Sequence, residues 1–204
     1  MLIICCVSDY KFDIFISYSR FGSVGKWLLN HFHPKFRDCL ADQMAQTPRV
    51  FLDKTMPRGV QWPEELEKAL RHSKIMVALL TPPYFQSAWC TAEMDTMRAR
   101  EKMLGLAGQA CPQGLVYPIL YSDSDNFPDH ARRISRWDFK DLSTPEMVFQ
   151  ESRDWILFHR RVTEVAQDLA ELLKQVPDWQ PDWPVAERPD PVLMPRASLP
   201  RFAP

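Results

Sequence analysis

The sequence lacks an excess of charge of either sign. Its 25 lysines and arginines are balanced by 26 aspartates and glutamates, which leaves a net charge of −1 over 204 residues. A protein whose main partner is nucleic acid or an anionic membrane surface carries a concentrated basic surface, so this balance argues against both partners. The hydrophobic content of 46% excludes disorder throughout the chain and allows a packed core.

Cysteines and histidines are few and lack the spacing of a metal site. The five cysteines form no Cys-x-x-Cys pair, and an odd number cannot close into a complete disulfide set. His31 and His33 lie apart from the cysteines, and the other three histidines are scattered. We therefore expect reduced thiols, a cytoplasmic location, and neither a metal nor another cofactor.

Long apolar runs are also missing. The amino-terminal run Met1 to Val7 is far shorter than the roughly 20 residues that a membrane-spanning helix needs. It also lacks the basic region and cleavage site of a secretory signal. We interpret residues 1–11 as an amino-terminal extension and expect no membrane span.

What the sequence does contain is an alternation of apolar runs and segments of helical period. This alternation is typical of a parallel sheet with helices on its faces. The predicted strands are 12–17, 49–53, 74–80 and 115–120, with a short fifth at 133–137. Pro118 removes a backbone donor from the fourth strand, which favours an edge or near-edge position. We predict an α/β fold with an open parallel five-stranded sheet flanked by helices.

The predicted helices lie between and after these strands, at 24–46, 63–72, 89–103 and 155–173. Pro34 falls inside the first of them and predicts a helix that is broken or starts late. The last helix has the clearest pattern, because its apolar residues recur at steps of three and four and predict a face that covers the sheet.

The carboxyl-terminal segment has a different composition. Eight of the 18 prolines lie between Pro177 and Pro204, where there is no glycine. This composition favours extended backbone, so we interpret 177–204 as a proline-rich tail or linker after a domain at 12–176. The alternative is a tail that wraps around the domain with Trp179 and Trp183 docked on it.

The most informative stretch follows the third predicted strand and runs from Ser87 to Glu93, Ser-Ala-Trp-Cys-Thr-Ala-Glu. Positions four apart share one face of a helix, so Trp89 and Glu93 are expected to project together beyond the strand end. Open α/β sheets bind ligands at that edge. By itself this spacing is common, and most glutamates on helices simply face water.

Three blocks, in this order, resemble the Toll/interleukin-1 receptor (TIR) domain family, in particular its bacterial NAD-cleaving members. The first is Phe12 to Ser19, Phe-Asp-Ile-Phe-Ile-Ser-Tyr-Ser, and the second is Val-Phe-Leu-Asp at 50–53 with Pro57, Arg58, Gly59 and Trp62 after it. The third runs from residue 73 through Pro-Pro-Tyr-Phe at 82–85 to Glu93. The resemblance implies a flavodoxin-like sheet.

The resemblance also implies an activity, because Glu93 matches the catalytic glutamate in the family patterns W-x-x-x-E and S-x-x-C-x-x-E. It implies an NAD⁺ glycohydrolase that releases nicotinamide with ADP-ribose or a cyclic variant. Nicotinamide leaves as a neutral molecule from a cationic ring, so the second carboxyl group of ordinary glycosidases is not needed to protonate it. One fixed carboxylate can stabilise the oxocarbenium-like charge that remains.

Further residues receive roles from the same resemblance. Five are expected to contact the substrate: Ser19, Arg20, Phe21, Trp62 and Trp89. For Trp62 and Trp89 the alternative is a packing role. For Arg20 the two readings are a pair with a diphosphate oxygen and a solvated loop charge. Four are expected in the loop that opens the site or docks between TIR domains: Asp53, Pro57, Arg58 and Gly59. Cys90 is expected in the core.

Two other functions stay open at this point. TIR domains include adaptors that only assemble with other TIR domains, and fold alone cannot separate these from enzymes. In either case we expect self-association, in signalling or in defence such as antiviral defence. A phosphate-accepting receiver domain is disfavoured, because it needs an acidic cluster at the strand ends to hold Mg²⁺ and Asp53 has no acidic neighbours in sequence.

Overall fold

The computed structural model describes residues 10–53, 62–108, 113–122, 125–128, 131 and 135–186, without the side chains of residues 62 and 63. Within this part, five strands form one parallel sheet in the order β2-β1-β3-β4-β5. The strands are β1 (Phe12–Tyr18), β2 (Val50–Phe51), β3 (Ser73–Leu80), β4 (Val116–Leu120) and β5 (Trp137–Asp138). This is the flavodoxin-like order, so the predicted fold class is confirmed.

The helices lie between and after the strands. They are α1 (Val24–Trp27), a π-helical segment (Leu28–Phe32), α2 (His33–Ala41), α3 (Trp62–Arg71), α4 (Pro82–Gln86), α5 (Ala88–Leu104) and α6 (Asp154–Leu173). Short 3₁₀ helices occupy Lys140–Leu142 and Met147–Glu151. The helices predicted at 63–72, 89–103 and 155–173 therefore each match an observed helix to within one residue at either end.

The predicted break at Pro34 is wrong. α1, the π-helical segment and α2 follow one another without a gap, and Pro34 lies in the first turn of α2. A proline inside a helix removes one backbone hydrogen bond and its ring crowds the preceding turn. The wider π-type turn directly before Pro34 is where the helix absorbs that change, so it continues to Ala41.

Alternate residues of the central strands pack into two separate hydrophobic clusters, one on each face of the sheet. Ile14 and Ile16 of β1 belong to a cluster that includes the buried face of α6, whereas Phe15 belongs to a second cluster with Met94 and Met97 of α5. This is the period of two that a strand covered on both faces requires. Helices therefore cover both faces of the sheet, and its carboxyl edge stays open between them.

The predicted near-edge position of Pro118 is confirmed. β4 pairs with β3 along its whole length, and Pro118 lies opposite Ala78. On its other side, within the described part of the chain, β4 pairs through Ile119 and Leu120 with the two-residue strand β5, so Pro118 precedes that ladder. The fifth strand begins later than predicted, at Trp137, and residues 132–134 lie outside the described part.

The first residues of the proline-rich segment lie against the domain, as the alternative interpretation of this segment expected, and do not form an extended linker. Trp183 is buried, and the Trp179 indole donates to the Arg71 carbonyl oxygen at 3.2 Å. The Tyr10 hydroxyl donates to the Pro177 carbonyl oxygen at 2.9 Å. We call residues 177–186 the strap; the rest of the predicted tail lies outside the described residues.

Among the described residues, none of the helices has the length and apolar character needed to span a membrane.

Candidate active site

The site lies where the strand order of the sheet reverses. β2 lies on one side of β1 and β3 on the other, so the connections that leave β1 and β3 diverge to opposite sides. Flavodoxin-like sheets bind ligands in the crevice at the carboxyl ends of these two strands. Ser17 and Tyr18 end β1, and the chain reaches Glu93 shortly after β3.

Two capped helices place Glu93 at this edge. The Thr81 hydroxyl caps α4 by accepting from the Tyr84 backbone N–H at 3.2 Å, and the Ser87 hydroxyl caps α5 by accepting from the Cys90 N–H at 3.3 Å. Such caps satisfy backbone donors that a helix start leaves unpaired. Ser87, the first residue of the S-x-x-C-x-x-E pattern, therefore sets the start of α5 and brings Glu93 into its second turn.

Glu93 is held by a hydrogen bond from the sheet. The Ser17 hydroxyl donates to Glu93 Oε2 at 2.5 Å, and the hydroxyl oxygens of Ser17 and Tyr84 lie 2.9 Å apart. Glu93 is half-buried, whereas Ser17 and Tyr84 are buried. The carboxylate thus faces the end of β1 and does not extend into solvent.

This environment changes the protonation of Glu93. Burial raises its pKa to about 7, and the negative charge of Asp53 acts in the same direction. The hydrogen bond from Ser17 and the positive charge of Arg20 act to lower the pKa. Glu93 therefore changes its charge close to neutral pH, as general bases and charge-stabilising carboxylates at active sites often do.

A second network joins the ends of β1 and β2. Asp53 accepts from the Tyr18 hydroxyl at 2.9 Å through Oδ1, and from Arg20 Nη2 at 3.0 Å and Nε at 3.3 Å through Oδ2. The Arg20 side chain is 61% exposed, so solvent weakens this ion pair. Asp53 thus ties the end of β2 to the end of β1 and to the loop after it.

The loop after β1 bends sharply beside this network. Ser19 is buried, and its hydroxyl accepts from the Phe21 backbone N–H at 3.2 Å, while the Phe21 ring is 68% exposed. Gly22 has a φ of 81°, a conformation that residues with a side chain rarely adopt. The loop therefore buries the predicted contact Ser19 and presents the predicted contact Phe21 to solvent.

A groove of about 440 Å³ opens next to these residues. Its lining consists of one aromatic ring, two cationic side chains and two glycines: Tyr18, Arg20, Gly22, Gly25 and Lys26. A Cβ at Gly25 would lie 3.2 Å from Tyr18 Cε2, a tight contact that the Tyr18 ring would have to relieve by a small shift. Arg20 and Lys26 each pair with a carboxylate, Arg20 with Asp53 at 3.0 Å and Lys26 with Glu146 at 3.2 Å. Guanidinium and ammonium groups are also the side chains that contact a phosphate.

The remaining predicted site residues divide into two groups. Trp89 is half-buried and packs against the core on the α5 side of the sheet, beside Cys90, which is buried as predicted. Burial and the charge of Glu93 raise the pKa of the Cys90 thiol to about 12, so this thiol stays protonated. Pro57, Arg58 and Gly59 lie outside the described residues, as does the side chain of Trp62.

The sequence interpretation missed Ser17 and Tyr84 as site residues. Ser17 lies in a strand that is buried from Asp13 to Tyr18, and a buried hydroxyl needs a hydrogen-bond partner. That requirement was the available signal, but it does not name the partner.

Within the described part of the chain, no three histidine, cysteine, aspartate or glutamate side chains are arranged to hold a metal ion.

The fold and the site define an α/β domain that presents a partly buried carboxylate at the switch point of a flavodoxin-like sheet. The sequence profile of the TIR domain matches residues 14–173, which is most of the chain. The chain belongs to the TIR domain family.

The chain is similar in sequence to disease resistance proteins of plants. The chain is 27% identical over 183 residues to the disease resistance protein TAO1 of Arabidopsis thaliana, and 27% identical over 184 residues to the disease resistance-like protein DSC2 of the same plant. Each alignment covers 83% of this chain but only 14% of the relative. These relatives do not show the bacterial NAD-cleaving branch to which the sequence motifs were likened.

Two solved structures have similar backbones. The TIR domain of the Toll-related receptor TRR-2 from Hydra magnipapillata gives a TM-score of 0.45 at 18% identity, covering 74% of this chain and 98% of that one. The TIR domains of the activated Roq1 resistosome, described as directly recognizing the pathogen effector XopQ, give 0.40 at 21% identity, covering 81% and 96%.

Proposed function

We propose that this TIR domain cleaves NAD⁺ between nicotinamide and ribose, as the bacterial NAD-cleaving members do, with Glu93 as the catalytic residue. The observation that carries the proposal is the Glu93 carboxylate, half-buried and bonded to Ser17 at the carboxyl ends of β1 and β3. NAD⁺ is the substrate in this proposal, and no cofactor takes part.

The chemistry needs only one carboxyl group. The bond between ribose C1′ and the pyridinium nitrogen breaks, and its electron pair stays on the nitrogen, so neutral nicotinamide leaves. The ribose becomes an oxocarbenium-like cation, which the Glu93 carboxylate stabilises at short range. Water then attacks C1′ and gives up a proton, which yields ADP-ribose and H⁺. A ring nitrogen of the adenine attacking in place of water would give a cyclic product.

The surroundings of Glu93 support this role. A carboxylate that is withdrawn from water acts on a nearby cation more strongly than an exposed one. With a pKa of about 7, a large fraction of Glu93 is ionised at physiological pH. The carboxyl group can also accept the proton that the attacking water releases.

We assign the substrate's diphosphate to the side of the groove that Arg20 and Lys26 line. The Arg20 side chain is 61% exposed, so an anionic group in the groove can approach its guanidinium beside Asp53. Phe21 offers an exposed ring for stacking on a base. Ser19 shapes this loop through its bond to the Phe21 N–H, and Trp89 supports α5 from the core side.

We further propose that self-association switches the activity on, in cytoplasmic signalling or defence, including antiviral defence. The named relatives are disease resistance proteins, and the Roq1 structure holds TIR domains within an activated resistosome. Clustering would act through the segment that contains Asp53, Pro57, Arg58 and Gly59, with Trp62 at its end, because this segment begins at Asp53, whose negative charge acts on Glu93.

The alternative is an interaction module that binds other TIR domains and leaves NAD⁺ intact. One observation favours it: large apolar side chains at the start of α6 and in the 3₁₀ helix before it are at least 50% exposed, namely Met147, Val148, Ile156 and Leu157. Clusters of exposed apolar side chains often mark protein–protein contacts.

An assay with NAD⁺ separates the two functions. The purified chain is incubated with NAD⁺ once in dilute solution and once captured densely on beads, and nicotinamide and ADP-ribose are separated by chromatography. The enzyme releases one nicotinamide for each NAD⁺ lost, faster on beads. The interaction module would be supported instead if NAD⁺ stays intact on beads and the chain self-associates. In that case, substitutions of Arg58 or Trp62 should abolish the self-association.

A further inference from the structure

We propose that Ser17 and Tyr84 are positioning residues for Glu93, which hold its carboxylate in one orientation through a directed chain of two hydrogen bonds. The proposal rests on the proposed NAD⁺ cleavage, because it assigns these two residues to the same reaction. Neither hydroxyl needs to touch the substrate to act in this way.

The direction of the chain follows from counting protons. An ionised carboxylate can only accept, so the Ser17 hydroxyl must use its one proton toward Glu93 Oε2, 2.5 Å away. Ser17 Oγ then has only lone pairs left for Tyr84, and the Tyr84 hydroxyl, 2.9 Å away, must be the donor. The charge of Glu93 strengthens the hydrogen bond from Ser17, and the polarised Ser17 hydroxyl in turn strengthens the bond that it accepts from Tyr84.

The two residues are themselves fixed. Ser17 is 2% exposed and lies in β1, which pairs with β3 beside Ala78. Tyr84 is 0% exposed on α4, and its backbone N–H donates to the Thr81 hydroxyl at 3.2 Å. The chain of hydrogen bonds therefore ties Glu93 to β1 and to the capped helix α4, neither of which is part of α5.

Other charged and titratable groups act on the same carboxylate. Asp53 after β2 and Arg20 after β1 exert opposite effects on it, and the buried Cys90 thiol lies one turn before it on α5. Burial raises the pKa of Glu93 and the Ser17 hydrogen bond lowers it. Losing the hydroxyl of Ser17 should therefore raise the pKa further, and losing that of Tyr84 should do so more weakly.

The test compares four variants of the full chain: Ser17→Ala, Ser17→Thr, Tyr84→Phe and, as a matched control, Tyr117→Phe. The Tyr117 hydroxyl donates to Asp168 at 2.7 Å, away from Glu93, so its loss removes a similar bond without touching the chain. One readout is the pH profile of kcat/KM for NAD⁺. The other is ¹³C NMR titration of the Glu93 carboxyl carbon, assigned with Glu93→Gln, which requires no activity.

Ser17→Ala should lower kcat/KM about 10- to 100-fold, because a hydrogen bond to a charged group is lost. Both the acid limb of the profile and the Glu93 titration should move to higher pH by about one pH unit. Tyr84→Phe should show smaller changes in the same direction. Ser17→Thr should recover most of the activity, and Tyr117→Phe should match the wild type.

The proposal is overturned if the Glu93 titration is unchanged in both Ser17→Ala and Tyr84→Phe. It is also overturned if Tyr117→Phe loses as much activity as Ser17→Ala. If Ser17→Ala does not fold, Tyr84→Phe decides through the same two readouts. If the wild type cleaves no NAD⁺ while the titration moves as expected, the proposed function fails but the hydrogen-bond chain stands. Failure of the two ideas can thus be told apart.

Discussion

Trp183 allows the packing of the strap to be tested quantitatively. Its ring centroid lies 4.0 Å from the Arg100 guanidinium carbon and 5.5 Å from the centroid of Tyr10. Arg100 is buried and donates to the Ser73 carbonyl oxygen at 2.9 Å. Burial lowers the pKa of Arg100 to about 10, so it is still a cation at neutral pH, and the indole covers that charge.

Changing Trp183 to Ala should therefore destabilise the fold substantially. Truncating a buried tryptophan costs about 3–5 kcal/mol. If the strap detaches in the variant, the lost free energy of unfolding is limited to what the docked strap contributes. We therefore expect a loss of about 3 kcal/mol, near the lower end of that range. For a domain of this size each kcal/mol lowers Tm by about 2–4 °C, which predicts a fall of roughly 6–12 °C.

The assay is thermal and urea unfolding followed by circular dichroism, with two comparison variants. Trp183→Phe keeps a ring and removes the indole N–H, which has no hydrogen-bond partner among the described residues, so it should cost much less than Trp183→Ala. Trp179→Ala should also cost less, because Trp179 is only half-buried. A Trp183→Ala variant within about 1 kcal/mol of the wild type would refute the docked strap.

Two further predictions concern the charge of Glu93, whose pKa burial raises to about 7. Because the carboxylate is the active form, kcat/KM for NAD⁺ should fall as the pH drops through about 7, measured as initial rates from pH 5 to 9. Because folding disfavours the ionised form, Glu93→Gln should unfold at a higher temperature than the wild type at pH 8. This difference should fade as the pH falls from about 7 toward 4.5, where the wild-type carboxyl binds its proton in the folded state.

The sheet could be predicted from the sequence because its strands carry a strong local signal. β1 and β3 are almost wholly buried runs, and a strand covered on both faces reads as a continuous apolar segment. The last helix was equally clear from its apolar spacing. The prediction of a broken or late-starting helix at Pro34 was wrong, because a π-type turn that accommodates a proline has no distinct sequence signal.

The site was predictable only in part, because its contacts join residues far apart in the chain. The Trp89–Glu93 spacing marked the carboxylate, but its partner Ser17 lies 76 residues earlier. Arg20 was expected to face a diphosphate or solvent, and the structure pairs it with Asp53. The docking of Trp183 on Arg100 likewise depends on tertiary contacts that composition cannot reveal, since proline-rich segments usually stay extended.

The most direct test of the account removes the charge of Glu93 and nothing else. Wild type, Glu93→Gln and Asp95→Asn are captured on beads at equal density at pH 8, and nicotinamide release from NAD⁺ is measured. Asp95 is an exposed carboxylate on the same helix, so its variant controls for the loss of one charge. The account predicts that Asp95→Asn matches the wild type and that Glu93→Gln is slower by about 10²- to 10³-fold. Nicotinamide release by Glu93→Gln at the wild-type rate would contradict it.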